Sequence, residues 1–97
     1  MTEGALERTF RILNRRGLHA RAANKFATTA GTFDCEIEVE RNGVSVSGRS
    51  IMGLMMLAAS TGTDITVRAS GDDADAALDA IQALIEDKFE EDRADEN

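Results

Sequence analysis

The residues with the most chemical potential lie in Asn14-Arg15-Arg16-Gly17-Leu18-His19-Ala20-Arg21-Ala22-Ala23, which contains the one histidine of the chain. Small residues at helical spacing begin just after His19, so the imidazole is expected near the first turn of a helix. A helix start offers unpaired backbone N–H groups and a partial positive charge, and so binds anions. The same field disfavours a protonated imidazole, which leaves a nitrogen lone pair free for nucleophilic attack. A phosphoryl group on that nitrogen would lie over the N–H groups of Ala20 and Arg21. Arg21 adds a permanently charged, planar donor fork suited to phosphate oxygens. Phosphoryl transfer needs chiefly positioning and charge stabilisation, and no internal general base is required. Gly17 permits an unusual backbone angle and close approach by a partner. Taken alone, His-x-Arg also fits a surface or capping histidine beside a solvated arginine.

A second candidate is Gly48-Arg49-Ser50-Ile51-Met52-Gly53. Ser50 reads as a helix N-cap, where an added phosphate would gain from the helix dipole; a plain structural cap fits as well. Met52, Met55 and Met56 fit either a core or an adaptable docking patch. Asp72, Asp73, Asp75 and Asp79 match no calcium-loop spacing, so no metal site is expected. Cys35 is expected to face the core and be inert. There is no phosphate-binding glycine loop, Ser-His-Asp set or paired-carboxylate site.

The elements that must position these groups follow from periodicity. Residues 9–14 read as a strand with Phe10 and Ile12 on one face. A helix carries Ala20, Ala23, Ala27 and Ala30 with Phe26 beside them, and Gly31 is its stop. Cys35, Ile37 and Val39 alternate with Glu36, Glu38 and Glu40, the pattern of a half-buried strand. Asn42-Gly43 suits the positive φ angles of a tight hairpin, and Val44 and Val46 form its second arm. The apolar run 51–59 reads as a short helix capped by Ser50. Ile65, Val67 and Ala69 mark another strand. Gly71-Asp72-Asp73 opens a last helix with acids in its first turn, and Ala74, Ala77, Leu78, Ile81, Leu84, Ile85 and Phe89 form its buried stripe. Residues 90–97 read as an acidic, frayed tail. The order β-α-β-β-α-β-α implies an α+β fold in two layers, helices over an antiparallel sheet; periodicity does not give the strand order.

Bulk properties narrow the class. Ninety-seven residues suit a single domain, 1–97, with 42% hydrophobic and 30% charged residues, an ordinary globule. The four Phe are the only aromatics, so Ile, Leu, Val, Met and Ala must build the core. A single cysteine excludes an internal disulfide and fits a reducing cytoplasm. No secretory signal and no membrane span are expected. Net charge is −7, but residues 1–49 carry a net of +2 and residues 50–97 a net of −9. Between 8 and 33 there are six basic residues and no acid. A local basic segment on an acidic chain suits an anionic ligand or an acidic protein partner, and disfavours nucleic acid.

Two segments together resemble the HPr family of histidine-containing phosphocarriers. Gly17-Leu18-His19-Ala20-Arg21-Ala22-Ala23 is similar to the signature around the phosphorylated histidine. Gly48-Arg49-Ser50-Ile51-Met52-Gly53-Leu54-Met55-Met56-Leu57 is similar to the segment around the regulatory serine. Gly62 before the fourth strand fits too, and the resemblance spans about residues 6–89. It implies an open-faced β-sandwich with a four-stranded antiparallel sheet in the order 1-4-2-3, covered on one face by three helices. It implies that His19 takes phosphoryl on Nδ1 from Enzyme I, which draws on phosphoenolpyruvate, and delivers it to an enzyme IIA. It implies that Arg21 stabilises the phosphate and that Ser50 is phosphorylated by an HPr serine kinase/phosphorylase where one exists. Leu18, Met52, Leu54 and Met55 are expected in the docking surface. The chain would then be a cytoplasmic, monomeric, stoichiometric carrier without a cofactor. The family commonly has Pro where this chain has Ala22, a good helix former, so little is lost.

The motif serves a sugar-uptake branch or a nitrogen-related regulatory branch equally. Two readings of other classes stand beside it: a docking module that is never phosphorylated, and a small phosphate-ester hydrolase. The hydrolase lacks a water-orienting group in the anion-binding loop.

Overall fold

The computed structural model describes residues 5–91. Four strands, β1 (Leu6–Arg11), β2 (Glu36–Arg41), β3 (Val44–Ser47) and β4 (Asp64–Ser70), and three helices, α1 (Ala20–Gly31), α2 (Ile51–Met56) and α3 (Ala74–Glu86), follow in the order β-α-β-β-α-β-α. The strands form one sheet in the order β1-β4-β2-β3, with every pairing antiparallel. This is the layered α+β architecture and strand order expected.

Alternation decides which face is covered. Ile37, Val39, Ile65, Val67 and Ala69 point to the helices and are at most 5% exposed. Glu38, Glu40 and Glu7 sit on the bare face, where all three bind the Arg68 guanidinium at 2.6 to 3.2 Å. Asn42 (φ +53) and Gly43 (φ +82) make the hairpin between β2 and β3, the left-handed pair that the Asn-Gly signal predicts. Over the sheet, α1 contributes Ala22, Ala23, Phe26 and Ala30, and α3 contributes Ala74, Ala77, Leu78, Ile81 and Ile85. Phe26 is wholly buried; a side chain of that size contributes about 1.5–3 kcal/mol.

The structure corrects several sequence expectations. The first strand runs from Leu6 to Arg11 rather than over 9–14. Its core-side alternation includes Arg8, which hid the pattern. Arg8 lies against α3 and donates to Asp75, Asp79 and Gln82 at 2.9–3.0 Å, so two of the acids considered for a metal are its partners. The buried stripe of α1 is Ala22-Ala23-Phe26-Ala30, while Ala20 is exposed and Ala27 half-buried. The apolar run after Ser50 stays helical only to Met56, and Ala58 follows in the left-handed region at φ +52. In α3 the capping position falls to Asp73, whose carboxylate turns away to accept from the N–H of Asp34 at 2.8 Å.

The largest correction concerns the end of the described chain. Phe89 does not extend the α3 stripe as helix. Lys88, Phe89 and Glu90 all have positive φ, between +54 and +59, and form a left-handed turn. Each such residue costs about 1–2 kcal/mol. The turn buries Phe89 to 2% exposure and carries the chain back toward the loop after β1. Glu90 pairs with Lys25 at 3.1 Å, and Glu91 is 5% exposed. These two expected tail residues are therefore built into the fold; residues 92–97 of that tail lie outside the described residues.

Candidate functional site

The loop between β1 and α1 is held from three sides. Gly17 has φ +68, and a Cβ there would lie 2.4 Å from the carbonyl oxygen of Ala59. Only glycine fits, and the close approach it permits is to the chain's own Ala59–Ser60 backbone, not to a partner. The Leu18 N–H donates to that same carbonyl at 2.9 Å. From within, the wholly buried Asn14 donates through Nδ2 to the Gly17 carbonyl at 2.8 Å and to Glu91 Oε2 at 3.1 Å. Both partners are acceptors, which fixes the orientation of the amide.

At the end of this loop His19 is itself the N-cap of α1, with extended backbone (φ −76, ψ −179). Its Nδ1 accepts from the N–H of Arg21 at 3.2 Å. Nδ1 is therefore the unprotonated ring nitrogen, with its lone pair directed at the open start of the helix, and the ring proton resides on Nε2. Nε2 faces Glu91 Oε2 at 3.6 Å, with the imidazole 26% exposed and the carboxylate 4% exposed. The ring borders a shallow hollow lined by Arg16, Leu18, Ala58, Ala59 and Ser60. Such an open surface suits a group exchanged between two proteins better than a small molecule enclosed in a cleft.

Glu91 is the residue that sequence reasoning missed. One carboxylate oxygen accepts from the Arg15 N–H at 2.9 Å, and the other accepts from the Arg16 N–H at 3.1 Å as well as from Asn14. Burial pushes this carboxyl up, but the bonds from Asn14, Arg16 and Arg15 and the nearby His19 outweigh that and hold it below the ordinary range. One acid within an acidic run gives no signal of its own; its partners lie 75–77 positions away.

The geometry brings His19, Ala20, Arg21 and Gly17 together. Ala20 opens α1 and is exposed, and Arg21 is exposed beside it with no ion pair among the described residues. The four docking candidates divide. Met52 is 74% and Met55 43% exposed, but Leu18 is 5% exposed and Leu54 wholly buried. Leu54 thus packs wholly into the core, and Leu18 shows only an edge, at the hollow beside His19. Met56 is as open as Met52, at 74% exposed. Ser50 caps α2, its Oγ accepting from the Gly53 N–H at 2.9 Å. Cys35 is 6% exposed; burial pushes its thiol up, Asp73, Asp34 and Glu36 add to this, and Arg49 opposes it. That disfavours the reactive thiolate.

A family model described as the PTS HPr component phosphorylation site matches residues 6–87. The chain belongs to the HPr family. Phosphocarrier protein NPr of Shewanella violacea is 50% identical over 86 residues, 89% of this chain and 94% of that protein. Phosphocarrier protein HPr of Pseudomonas aeruginosa is 49% identical over 88 residues, 90% of this chain and 96% of that protein. The crystal structure of an HPr from Thermoanaerobacter tengcongensis superposes with a TM-score of 0.84 at 44% identity, covering 87% and 94% of the two chains. As an HPr phosphocarrier of the phosphotransferase system, the protein carries phosphoryl groups rather than turning over a substrate. No helix among the described residues is long and apolar enough to cross a membrane.

Proposed function

We propose that His19 is the phosphoryl-bearing residue, charged by the phosphohistidine of Enzyme I and discharged to an enzyme IIA. The observation that carries this is the 3.2 Å contact from the Arg21 N–H to Nδ1, which places an unprotonated nitrogen at the amino end of a twelve-residue helix. In the transfer the Nδ1 lone pair forms the new N–P bond as the donor's N–P bond breaks. The Arg21 N–H then turns from Nδ1 to a phosphoryl oxygen, with the Ala20 N–H beside it. The Arg21 guanidinium shares the charge of the group in flight.

Docking falls to the exposed Met52, Met55 and Met56, flanked by the basic loop. Adaptable thioethers suit a surface that must meet both a donor and an acceptor, and the cations suit acidic partners. Ser50 is the regulatory position, where phosphorylation by an HPr serine kinase/phosphorylase would add negative charge beside that surface. We assign the protein to the cytoplasm as a monomer. A second reading, a regulatory branch without sugar transport, draws on the 50% identity with NPr, level with the 49% for an HPr. Parallel charging by the Enzyme I of each branch separates the two.

The decisive experiment is incubation with phosphoenolpyruvate and Enzyme I. One acid-labile, base-stable phosphate should appear on wild type and none on His19→Ala. Equal labelling of both proteins, or no labelling of wild type where a control HPr is labelled, removes the reading.

A further inference from the structure

We propose that Glu91 is a positioning residue that keeps a proton on Nε2 of His19 and so keeps the phosphorylated ring in its transferable form. The inference rests on His19 as the phosphoryl acceptor and adds a residue that sets how readily the group leaves.

Glu91 is placed by structure, not by chance exposure. The left-handed turn at 88–90 and the buried Phe89 deliver it to the loop. Its carboxylate is 4% exposed and takes three hydrogen bonds, from Asn14, Arg15 N–H and Arg16 N–H. With those acceptor sites filled, Oε2 still lies 3.6 Å from Nε2. The helix amides face Nδ1 and the carboxylate faces Nε2, so the two ring nitrogens see opposite charge. An anion held in a buried place acts on the ring with little screening. Among the described residues, the other charged side chains on the elements around the ring are Arg21 on α1 and Arg15 and Arg16 on the loop. Residues Ala58, Ala59 and Ser60 on the far side of the hollow carry no charge, and Glu90, next to Glu91, pairs with Lys25.

The chemistry follows from counting protons. Before transfer the ring is neutral, with its proton on Nε2. When Nδ1 bonds phosphorus, the ring becomes an N-phosphoimidazolium: the Nε2 proton stays, the ring gains one positive charge, and the donor's nitrogen departs with the electron pair of the broken bond. On delivery the N–P electron pair returns to Nδ1 and a neutral imidazole leaves. No proton moves in either direction. If the Nε2 proton is lost in between, the leaving group would be an imidazolate, a far stronger base, and the phosphoryl group is locked on the ring. Glu91 opposes that loss because its negative charge stabilises the imidazolium.

The test compares full-length wild type with Glu91→Gln, both charged by Enzyme I and phosphoenolpyruvate. The rate of phosphohistidine hydrolysis is followed from pH 6 to 10. The pH at which lability falls to half should lie about one unit lower in Glu91→Gln, with Glu91→Asp between them. In parallel, 15N spectra of the uncharged wild type should show Nε2 protonated and Nδ1 bare. Midpoints that coincide in wild type and Glu91→Gln overturn the proposal. So does a wild-type ring protonated on Nδ1, a result that needs no variant and is independent of whether Glu91→Gln folds. Absence of phosphohistidine from wild type refutes the carrier reading instead, and is thereby told apart from a failure of the Glu91 proposal.

Discussion

Replacing Gly17 by alanine tests the packing that holds the reactive loop, and its cost follows from the geometry. The residue sits at φ +68, and a Cβ would meet Ala59 O at 2.4 Å and Ser60 Cα at 2.8 Å. Left-handed backbone costs an alanine about 1 kcal/mol. Both obstructing atoms are backbone, so no side-chain rotation relieves the clash. The loop must withdraw by roughly 1 Å to regain an ordinary contact. That movement breaks the Leu18 N–H bond to Ala59 O and disturbs the Asn14 bond to the Gly17 carbonyl, now 2.9 and 2.8 Å. Each is worth about 1 kcal/mol net, for a total of about 3 kcal/mol. Set against the roughly 5–15 kcal/mol that stabilises a domain, the loss should lower the melting temperature by roughly 12–24 °C. Urea unfolding at pH 7 should show a lower midpoint with an unchanged slope. Charging by Enzyme I, measured where the variant is still folded, should slow as well, because the His19 N–H bonds to the Gly17 carbonyl at 2.9 Å. A destabilisation below about 1 kcal/mol with normal charging would refute the argument from contact.

Arg21→Glu should slow charging at least tenfold by replacing a phosphate donor with a repelling carboxylate; an unchanged rate in a stopped-flow assay removes Arg21 from the transfer. Ala58→Gly should stabilise the fold by about 1 kcal/mol, since φ +52 is strained for alanine and free for glycine, as read by the urea midpoint. Glu91 contributes to stability as well as chemistry. Its carboxyl is held below the ordinary range, so its contribution is complete above about pH 4.3, the unperturbed glutamate value, and is lost as pH falls through the folded-state value. The stability gap between wild type and Glu91→Gln should therefore be full at pH 7 and shrink in acid, a trend that unfolding curves from pH 7 to 3 will check. Ser50→Asp should weaken docking to Enzyme I several-fold at low salt; equal affinity by calorimetry would exclude Ser50 from the interface.

What the sequence discloses is local. The Asn42-Gly43 turn, the alternation in β2 and β4, the Ser50 cap and the His19–Arg21 segment at a helix start are all short-range patterns, and each lies where it was expected. The strand order came from family resemblance, because pairing is a long-range choice that periodicity does not encode. Arg8 hid the true start of β1 by occupying a core-side position whose charge is answered by α3. Burial of Leu18 and Leu54 within motifs read as docking surface has a related cause. A motif marks a segment, but only packing decides which of its side chains turn inward. The left-handed turn at 88–90 was illegible because Lys, Phe and Glu carry no preference for positive φ, and with it went Glu91, the second partner of the imidazole.

The bond between Glu91 and the loop at 14–16 joins nearly opposite ends of the described chain. During synthesis His19 emerges early, yet its Nε2 partner is added some seventy residues later. A nascent or prematurely terminated chain would display the histidine without the carboxylate that orients it. On the Glu91 proposal, the carboxylate that holds the proton on Nε2 is thus in place only once the last turn has formed.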